Sequence, residues 1–153
     1  EMLTRDWSSD VCSSDLPPPL QKKGRPMSEH PSAPHPHKDD CIFCKIATGQ
    51  IPSRKVYEDE DIYAFHDIAP WAPVHFLIVP KAHIASMAQL QDEHAPLMGR
   101  IMTLAPRLAL EQGCQPYPEG GFRVMVNTGA HGGQEVHHLH VHVMGGPRPW
   151  ARG

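Results

Sequence analysis

Near the C-terminus, apolar and polar residues alternate strictly over His138-Leu139-His140-Val141-His142-Val143-Met144. Period two is the mark of a β-strand. The pattern predicts a strand from about Val136 to Met144, with the three histidines on one face and Leu139, Val141 and Val143 on the other. Upstream, Ile42, Phe43 and Ile46 have the spacing of a short amphipathic helical turn, ended by Gly49. Arg54–Glu58 and Asp61–His66 read as two short strands joined by an acidic turn. Val74 to Val79 is the most apolar run, predicted as a central strand that Pro80 stops. Lys81–Leu90 reads as a connector with a helical turn. A longer helix is predicted from an Asp92 N-cap to about Gln112. Leu97, Ile101, Leu104 and Leu108 form its stripe, widened by Met98, Met102, Ala105 and Ala109. That width leaves apolar surface for a second subunit. Pro96 falls in the first turn, Pro106 is predicted to kink the helix, and Gly113 is placed as its C′ residue. Phe122–Asn127 is a further strand, and Thr128–Gly133 a glycine-rich loop. Five strands at hairpin-like spacing and two helices indicate an α+β domain with an antiparallel sheet.

Residues 1–40 differ from the rest. They carry prolines at 17, 18, 19, 26, 31, 34 and 36, many serines and no periodicity, so they are read as a disordered extension. Ser8–Leu16 is nearly a tandem duplication that resembles translated sequencing-adaptor segments, which predicts that residues 1–26 are not native and that the natural protein begins near Met27. Residues 41–146 are read as one domain and 147–153 as a Pro/Gly-rich tail with Trp150. The formal charge of −3 argues against an electrostatic nucleic-acid binder. No run of 18 apolar residues predicts a membrane span. The cysteines are Cys12, Cys41, Cys44 and Cys114, two of them in a Cys-x-x-Cys pair, which speaks against a secreted disulfide framework and makes the cytoplasm the default.

A lone histidine on a strand is an ordinary half-buried polar group. Three on one face each need a partner, which points to phosphate, metal or proton chemistry. Asn127-Thr128-Gly129-Ala130-His131-Gly132-Gly133-Gln134 leads straight into them, and glycines let backbone N–H groups converge on an anion. Cys41 and Cys44 have the spacing of half a tetrahedral zinc site; a metal-free reduced pair and a redox pair are the alternatives.

The run His138-Leu139-His140-Val141-His142-Val143-Met144 resembles the His-φ-His-φ-His-φ-φ motif of the histidine-triad superfamily. Asp67-Ile68-Ala69-Pro70, Ala72-Pro73-Val74-His75, Ile78-Val79-Pro80-Lys81 and Gly132-Gly133-Gln134-Glu135-Val136 look like its nucleotide-binding phosphoramidase branch. The resemblance covers Cys41 to Gly146. It implies a five-stranded antiparallel sheet with two helices, continuous across a homodimer, and hydrolysis of purine nucleoside 5′-phosphoramidates. By resemblance His140 is the nucleophile that forms a nucleotidyl-histidine, its other nitrogen donating to the carbonyl of His138, and His142 contacts the phosphate. Asn127, Gly133 and Glu135 stabilise charge or assist the leaving group, Glu135 standing where some members have serine. Asp67 is expected on the ribose. Ile42, Phe43, Ile46, Phe65, His66 and Ile68 are expected at the base pocket, with Gln134 and Val136 beside the nucleotide. Trp150 lies in a tail that in related dimers reaches toward the partner's active site. Some members complete a zinc site with Cys41, Cys44, His75 and His138. Within the superfamily, dinucleoside polyphosphate hydrolases and nucleotidyl transferases usually carry glutamine at the third triad position, and His142 counts against them. A nucleotide-binding scaffold with little turnover is the reading from another class.

Overall fold

The structure, a computed structural model, describes residues 36–150. The predicted disordered extension therefore lies, apart from residues 36–40, outside the described residues, as do residues 151–153 of the tail.

The elements follow in the order α1 (Ile42–Ala47), β1 (Lys55–Glu58), β2 (Ile62–His66), β3 (Val74–Pro80), α2 (Ala95–Glu111), β4 (Phe122–Met125) and β5 (Val141–Gly145). Two single 3₁₀ turns, Met87–Gln89 and Asp92–His94, precede α2. The five strands form one antiparallel sheet in the order β1-β2-β3-β5-β4. This is the expected α+β, HIT-like architecture.

Side-chain alternation divides the sheet into two buried faces. On one, Ile62, Ala64, Phe76, Ile78, Val141 and Val143 pack against Ile101, Leu104, Ala105, Leu108 and Ala109 of α2. On the other, Tyr63, Phe65, Leu77 and Val79 pack against Cys41, Phe43, Cys44, Ile46 and Ala47 at α1. Because β3 is covered on both sides, its sequence is apolar almost without interruption. Each fully buried aliphatic or aromatic side chain contributes about 1.5–3 kcal/mol of transfer free energy.

The ends of the elements have local causes. Cys41 caps α1, its Sγ accepting from Cys44 N–H at 3.4 Å. Asp59 makes the β1–β2 turn: its Oδ1 accepts the N–H groups of Asp61 and Ile62, both at 2.8 Å. Arg100 reaches Asp59 Oδ2 at 2.7 Å and Asp61 Oδ2 at 2.9 Å, tying α2 to that turn. At the end of α2, Gly113 N–H donates to Leu110 and Cys114 N–H to Ala109, the paired bonds of a Schellman stop, with Gly113 at φ 105°. A Cβ at Gly145 would strike Cys114 Sγ and crowd the Gly121 carbonyl, so any larger residue there would force these neighbours to move. Pro106 stands on the exposed side of an unbroken helix, one turn from exposed Met102, so water can reach the carbonyl that Pro106 leaves unpaired.

Three sequence expectations are corrected. The residue before α2 is His94, not Asp92: Asp92 opens a 3₁₀ turn that Gln91 precedes, with Gln91 N–H donating to His94 Nδ1 at 2.9 Å. Strand β4 ends at Met125, short of Asn127. The regular part of the histidine strand begins at Val141, not Val136. Val141 pairs with Ile78, so extending the ladder would set Leu139 opposite Pro80, which has no N–H to give. Residues 138–140 are held by other bonds, described below.

Candidate active site

The histidine face is the α1 face of the sheet. His138, His140 and His142 are 0, 6 and 7 % exposed. Buried imidazoles need partners, and the partners found here set the proton position on each ring.

His140 Nδ1 lies 2.7 Å from the carbonyl oxygen of His138. A carbonyl only accepts, so Nδ1 carries the proton and Nε2 keeps a free lone pair. His138 Nε2 lies 2.8 Å from the carbonyl of Pro80, so that nitrogen donates and Nδ1 is the lone-pair side. His75 Nδ1 accepts Trp71 N–H at 3.0 Å, which puts the His75 proton on Nε2. That nitrogen is 2.9 Å from His142 Nδ1 and 3.5 Å from Asp67 Oδ2, and the shorter contact takes the proton. His142 therefore presents Nε2–H outward. The site thus offers a nucleophilic nitrogen on His140 beside a hydrogen-bond donor on His142, with ring centroids 4.9 Å apart.

Burial keeps these rings neutral. It pushes His142 down from 6.5 to about 4, with neighbouring His140 and His75 acting in the same direction and Asp67 against it. It also lowers His140, opposed by the His138 carbonyl, Asp67 and Glu135, and His75, opposed by Asp67. A histidine whose pKa is lower folded than unfolded stabilises the fold fully above pH 6.5 and loses that contribution as pH falls toward 4. For His142 this is about 3 kcal/mol. The Tm is accordingly expected to drop steeply between pH 6.5 and 4, and less steeply in His142→Gln. Thermal denaturation across that window checks it, and a flat wild-type profile would contradict the buried neutral state.

Around the triad, Phe43 meets His140 edge to face at 5.1 Å and Phe65 at 5.5 Å, with Ile46 buried beside them. Val136 packs against the same cluster, whereas Ile42 and Ile68 are exposed. Asp67 Oδ1 accepts Ala69 N–H at 2.8 Å, which fixes the carboxylate at the end of β2. Asn127 is half-buried just past β4, and Glu135 is exposed. Gly133 N–H donates to Ala130, and Gln134 N–H to Gly129, so both of these amides are engaged inside the loop.

One expected residue stands elsewhere. His66 follows Phe65 on β2, and alternation turns it to the opposite face, where its ring bonds Gln112 at the end of α2. Trp150, in the tail, has partners within this chain. It donates Nε1–H to Gly146 at 3.1 Å and is stacked between Arg123 and Arg148, at 5.1 and 4.6 Å. It lines a cavity of about 920 Å³ between residues 113–123 and 146–150 that contains no triad histidine.

The candidate metal ligands also regroup. Cys41, Cys44, His83 and His138 converge, their donor atoms all within 4.8 Å of one another. Cys41 Sγ is 3.3 Å and Cys44 Sγ 3.5 Å from His138 Nδ1, and Cys44 Sγ is 3.4 Å from His83 Nδ1. Tetrahedral zinc, with bonds of about 2.3 Å to sulfur and 2.0 Å to nitrogen, sets S and N about 3.5 Å apart, so the donor set and its spacing fit. The fourth donor is His83, not the expected His75. His75 pairs with Met144 near the start of β3, five residues or about 17 Å from Pro80, where His138 sits. It joins Asp67 and His142 instead. Four protein ligands would close such a site, so a metal there would hold structure and leave no position open for substrate.

Sequence reasoning missed His83 and Trp71. Trp71 is half-buried, its ring near-parallel to His142 at 6.0 Å, and its N–H sets the His75 tautomer. Nothing in its spacing marks it. For His83 the sequence holds a signal: a cysteine pair needs two further donors, and His83 lies in the connector after the central strand.

Known proteins resemble this chain in sequence and fold. Residues 40–150 match the family model described as the scavenger mRNA decapping enzyme C-terminal binding domain. The chain is 49 % identical over 109 residues to protein HitA of Neisseria gonorrhoeae, covering 71 % of this chain and 98 % of that one. It is 43 % identical over 108 residues to the purine nucleoside phosphoramidase of Escherichia coli K12, covering 71 % and 88 %. Among solved structures, a HIT family hydrolase from Legionella pneumophila aligns with TM-score 0.68 and 43 % identity over 74 % of this chain and all of that one. A histidine triad protein from Clostridium difficile aligns with TM-score 0.68 and 45 % identity over 74 % and 96 %.

Proposed function

The chain belongs to the histidine-triad family and is a HIT family hydrolase, and from that premise we propose that it cleaves the P–N bond of purine nucleoside 5′-phosphoramidates. The observation that carries this reading is the pair of opposite tautomers: His140 with a free Nε2 lone pair, His142 with a free Nε2–H. The phosphoramidase relative, 43 % identical, supports the substrate class.

In the proposed reaction His140 Nε2 attacks the α-phosphorus, forming an N–P bond as the P–N bond to the amine breaks. The departing amine takes a proton from the site. Water then cleaves the nucleotidyl-histidine, its hydroxyl going to phosphorus and its other proton replacing the one the amine took, which restores the neutral ring. His140 develops positive charge as it attacks, and the His138 carbonyl at its Nδ1–H stabilises that charge. His142 Nε2–H donates to a phosphate oxygen, and the proton chain from Trp71 through His75 keeps that nitrogen protonated. Phe43, Ile46 and Phe65 supply the apolar base wall, Asp67 the ribose partner, and Asn127 and the backbone at Glu135 further donors to phosphate. The direct test is hydrolysis of an adenosine 5′-phosphoramidate bearing a fluorescent amine. Saturable release at a kcat of about 1 s⁻¹ or above is expected. Nucleotide binding without turnover would overturn the reading in favour of a scaffold.

The Cys41–Cys44–His83–His138 tetrad is proposed as a structural zinc site. A homodimer is proposed as well: β4 is an edge of the sheet, available to continue it in a second copy, and Met102, Leu110 and Phe122 are exposed apolar residues on α2 and β4. Among the described residues no helix is long and apolar enough to cross a membrane.

A further inference from the structure

We propose that Gln134 is the positioning residue of the glycine-rich loop, acting on the substrate phosphate through the shape of residues 129–133 and not by touching it. The inference rests on the phosphoramidate reading above and goes beyond it.

Gln134 is 9 % exposed, and its side-chain amide is engaged at both ends. Oε1 accepts Gly129 N–H at 2.9 Å. Nε2 donates to Ala85 at 2.7 Å and to Val136 at 3.0 Å. A glutamine amide nitrogen has two hydrogens, and both are accounted for, so none remains for a ligand. The main chain completes a clamp, since Gln134 N–H donates back to Gly129 at 3.0 Å. One residue thus holds both polar groups of Gly129 and closes the loop upon itself.

The clamp leaves the loop one shape. Gly129 and Gly133 sit at φ 66° and 76°, and a Cβ on Gly132 would run into the Thr128 backbone. The Ala85 contact then fixes the loop in space. Ala85 ends a short segment after β3 that also holds the triad: Pro80 accepts from the His138 ring, and the Ile84 carbonyl accepts Leu139 N–H at 2.6 Å. The phosphate loop and the nucleophile therefore share one anchor, residues 80–85, and Gln134 is the side chain that joins the loop to it. Displacing reacting groups by about 1 Å costs on the order of 100-fold in rate, so such an anchor bears on kcat.

Two variants test this. Gln134→Met keeps the volume and removes all three side-chain bonds. Gln134→Glu keeps an acceptor for Gly129 and removes both donors. In ligand-free Gln134→Met, amide exchange at Gly129 is expected to accelerate at least about tenfold. In both variants the affinity for AMP and the kcat should fall at least about tenfold, while the affinity for adenosine, which lacks the phosphate, stays within about twofold. Unchanged Gly129 exchange in Gln134→Met with weakened AMP binding would overturn the proposal in favour of direct contact. Equal weakening of AMP and adenosine would overturn it in favour of a general structural role. A wild type that binds AMP no tighter than adenosine would refute the phosphate site itself, and the exchange at Gly129, read without ligand, would still decide the clamp.

Discussion

Replacing His140 with alanine is expected to lower kcat for phosphoramidate hydrolysis on the order of 10⁴-fold or more, with the affinity for AMP changed by less than about tenfold. The size follows from the geometry. His140 has its Nδ1 proton committed to the His138 carbonyl at 2.7 Å, and that bond fixes the ring so that the Nε2 lone pair faces the site. The neighbouring rings have no such lone pair to offer. His142 presents a proton, because His75 occupies its Nδ1 at 2.9 Å. His138 turns its lone pair toward Cys41 and Cys44 at 3.3 and 3.5 Å. Neither can substitute for the nucleophile, and alanine leaves only the positioning groups. Binding persists because Phe43 loses one edge contact with the His140 ring but keeps its packing on Phe65, and Asp67, just past β2, is held by the Ala69 N–H. Single-turnover assays with wild type and variant, followed by acid quench to trap a nucleotidyl-enzyme, measure both halves of the expectation. A variant retaining a tenth of wild-type turnover would remove His140 from the nucleophile's role.

The sequence carried the faces of the molecule better than its ends. Alternation over residues 138–144 placed the three histidines on one side, and the structure has them buried there together, because β5 and β3 are covered on both sides and a one-residue slip would put imidazoles against α2. Where the ladder starts was not legible from periodicity, since that depends on Pro80 in another strand. His66 shows the same limit in reverse. It lies next to Phe65 and Asp67 in sequence, yet the parity of β2 sends its side chain to the other face. The resemblance sets Gln134 beside the nucleotide, and its side-chain amide is engaged within the protein. Chain proximity indicates which loop matters, whereas hydrogen-bond partners decide which of its side chains face inward. The choice between His75 and His83 turns on distance along β3, which a motif read as a string does not contain.

That choice yields the second large effect. His83→Ala, and not His75→Ala, is expected to abolish stoichiometric zinc binding and to lower Tm on the order of 10 °C, a loss of several kcal/mol. The tetrad joins three separate parts of the chain: Cys41 and Cys44 at α1, His83 after β3, and His138 ahead of β5. α1 is only Ile42–Ala47, too short to be stable alone, and it covers the sheet face that carries the triad. A metal bonded to both cysteines would hold that helix down through covalent-strength links. Losing it leaves two buried thiols, and burial already raises the Cys44 pKa, so that thiol stays neutral and gains no charge interaction in compensation. The Pro80 carbonyl at 2.8 Å from His138 Nε2 fixes the ligating tautomer before any metal arrives, as outer partners of ligand histidines do. Elemental analysis and thermal melts of wild type, His83→Ala and His75→Ala, all purified without chelator, separate the two assignments. His75→Ala should keep its zinc while losing turnover, because it releases His142 and not the tetrad. Full zinc stoichiometry in His83→Ala, or none in wild type, would dismiss the tetrad as a metal centre and leave Cys41 and Cys44 as a capping pair on a reduced helix.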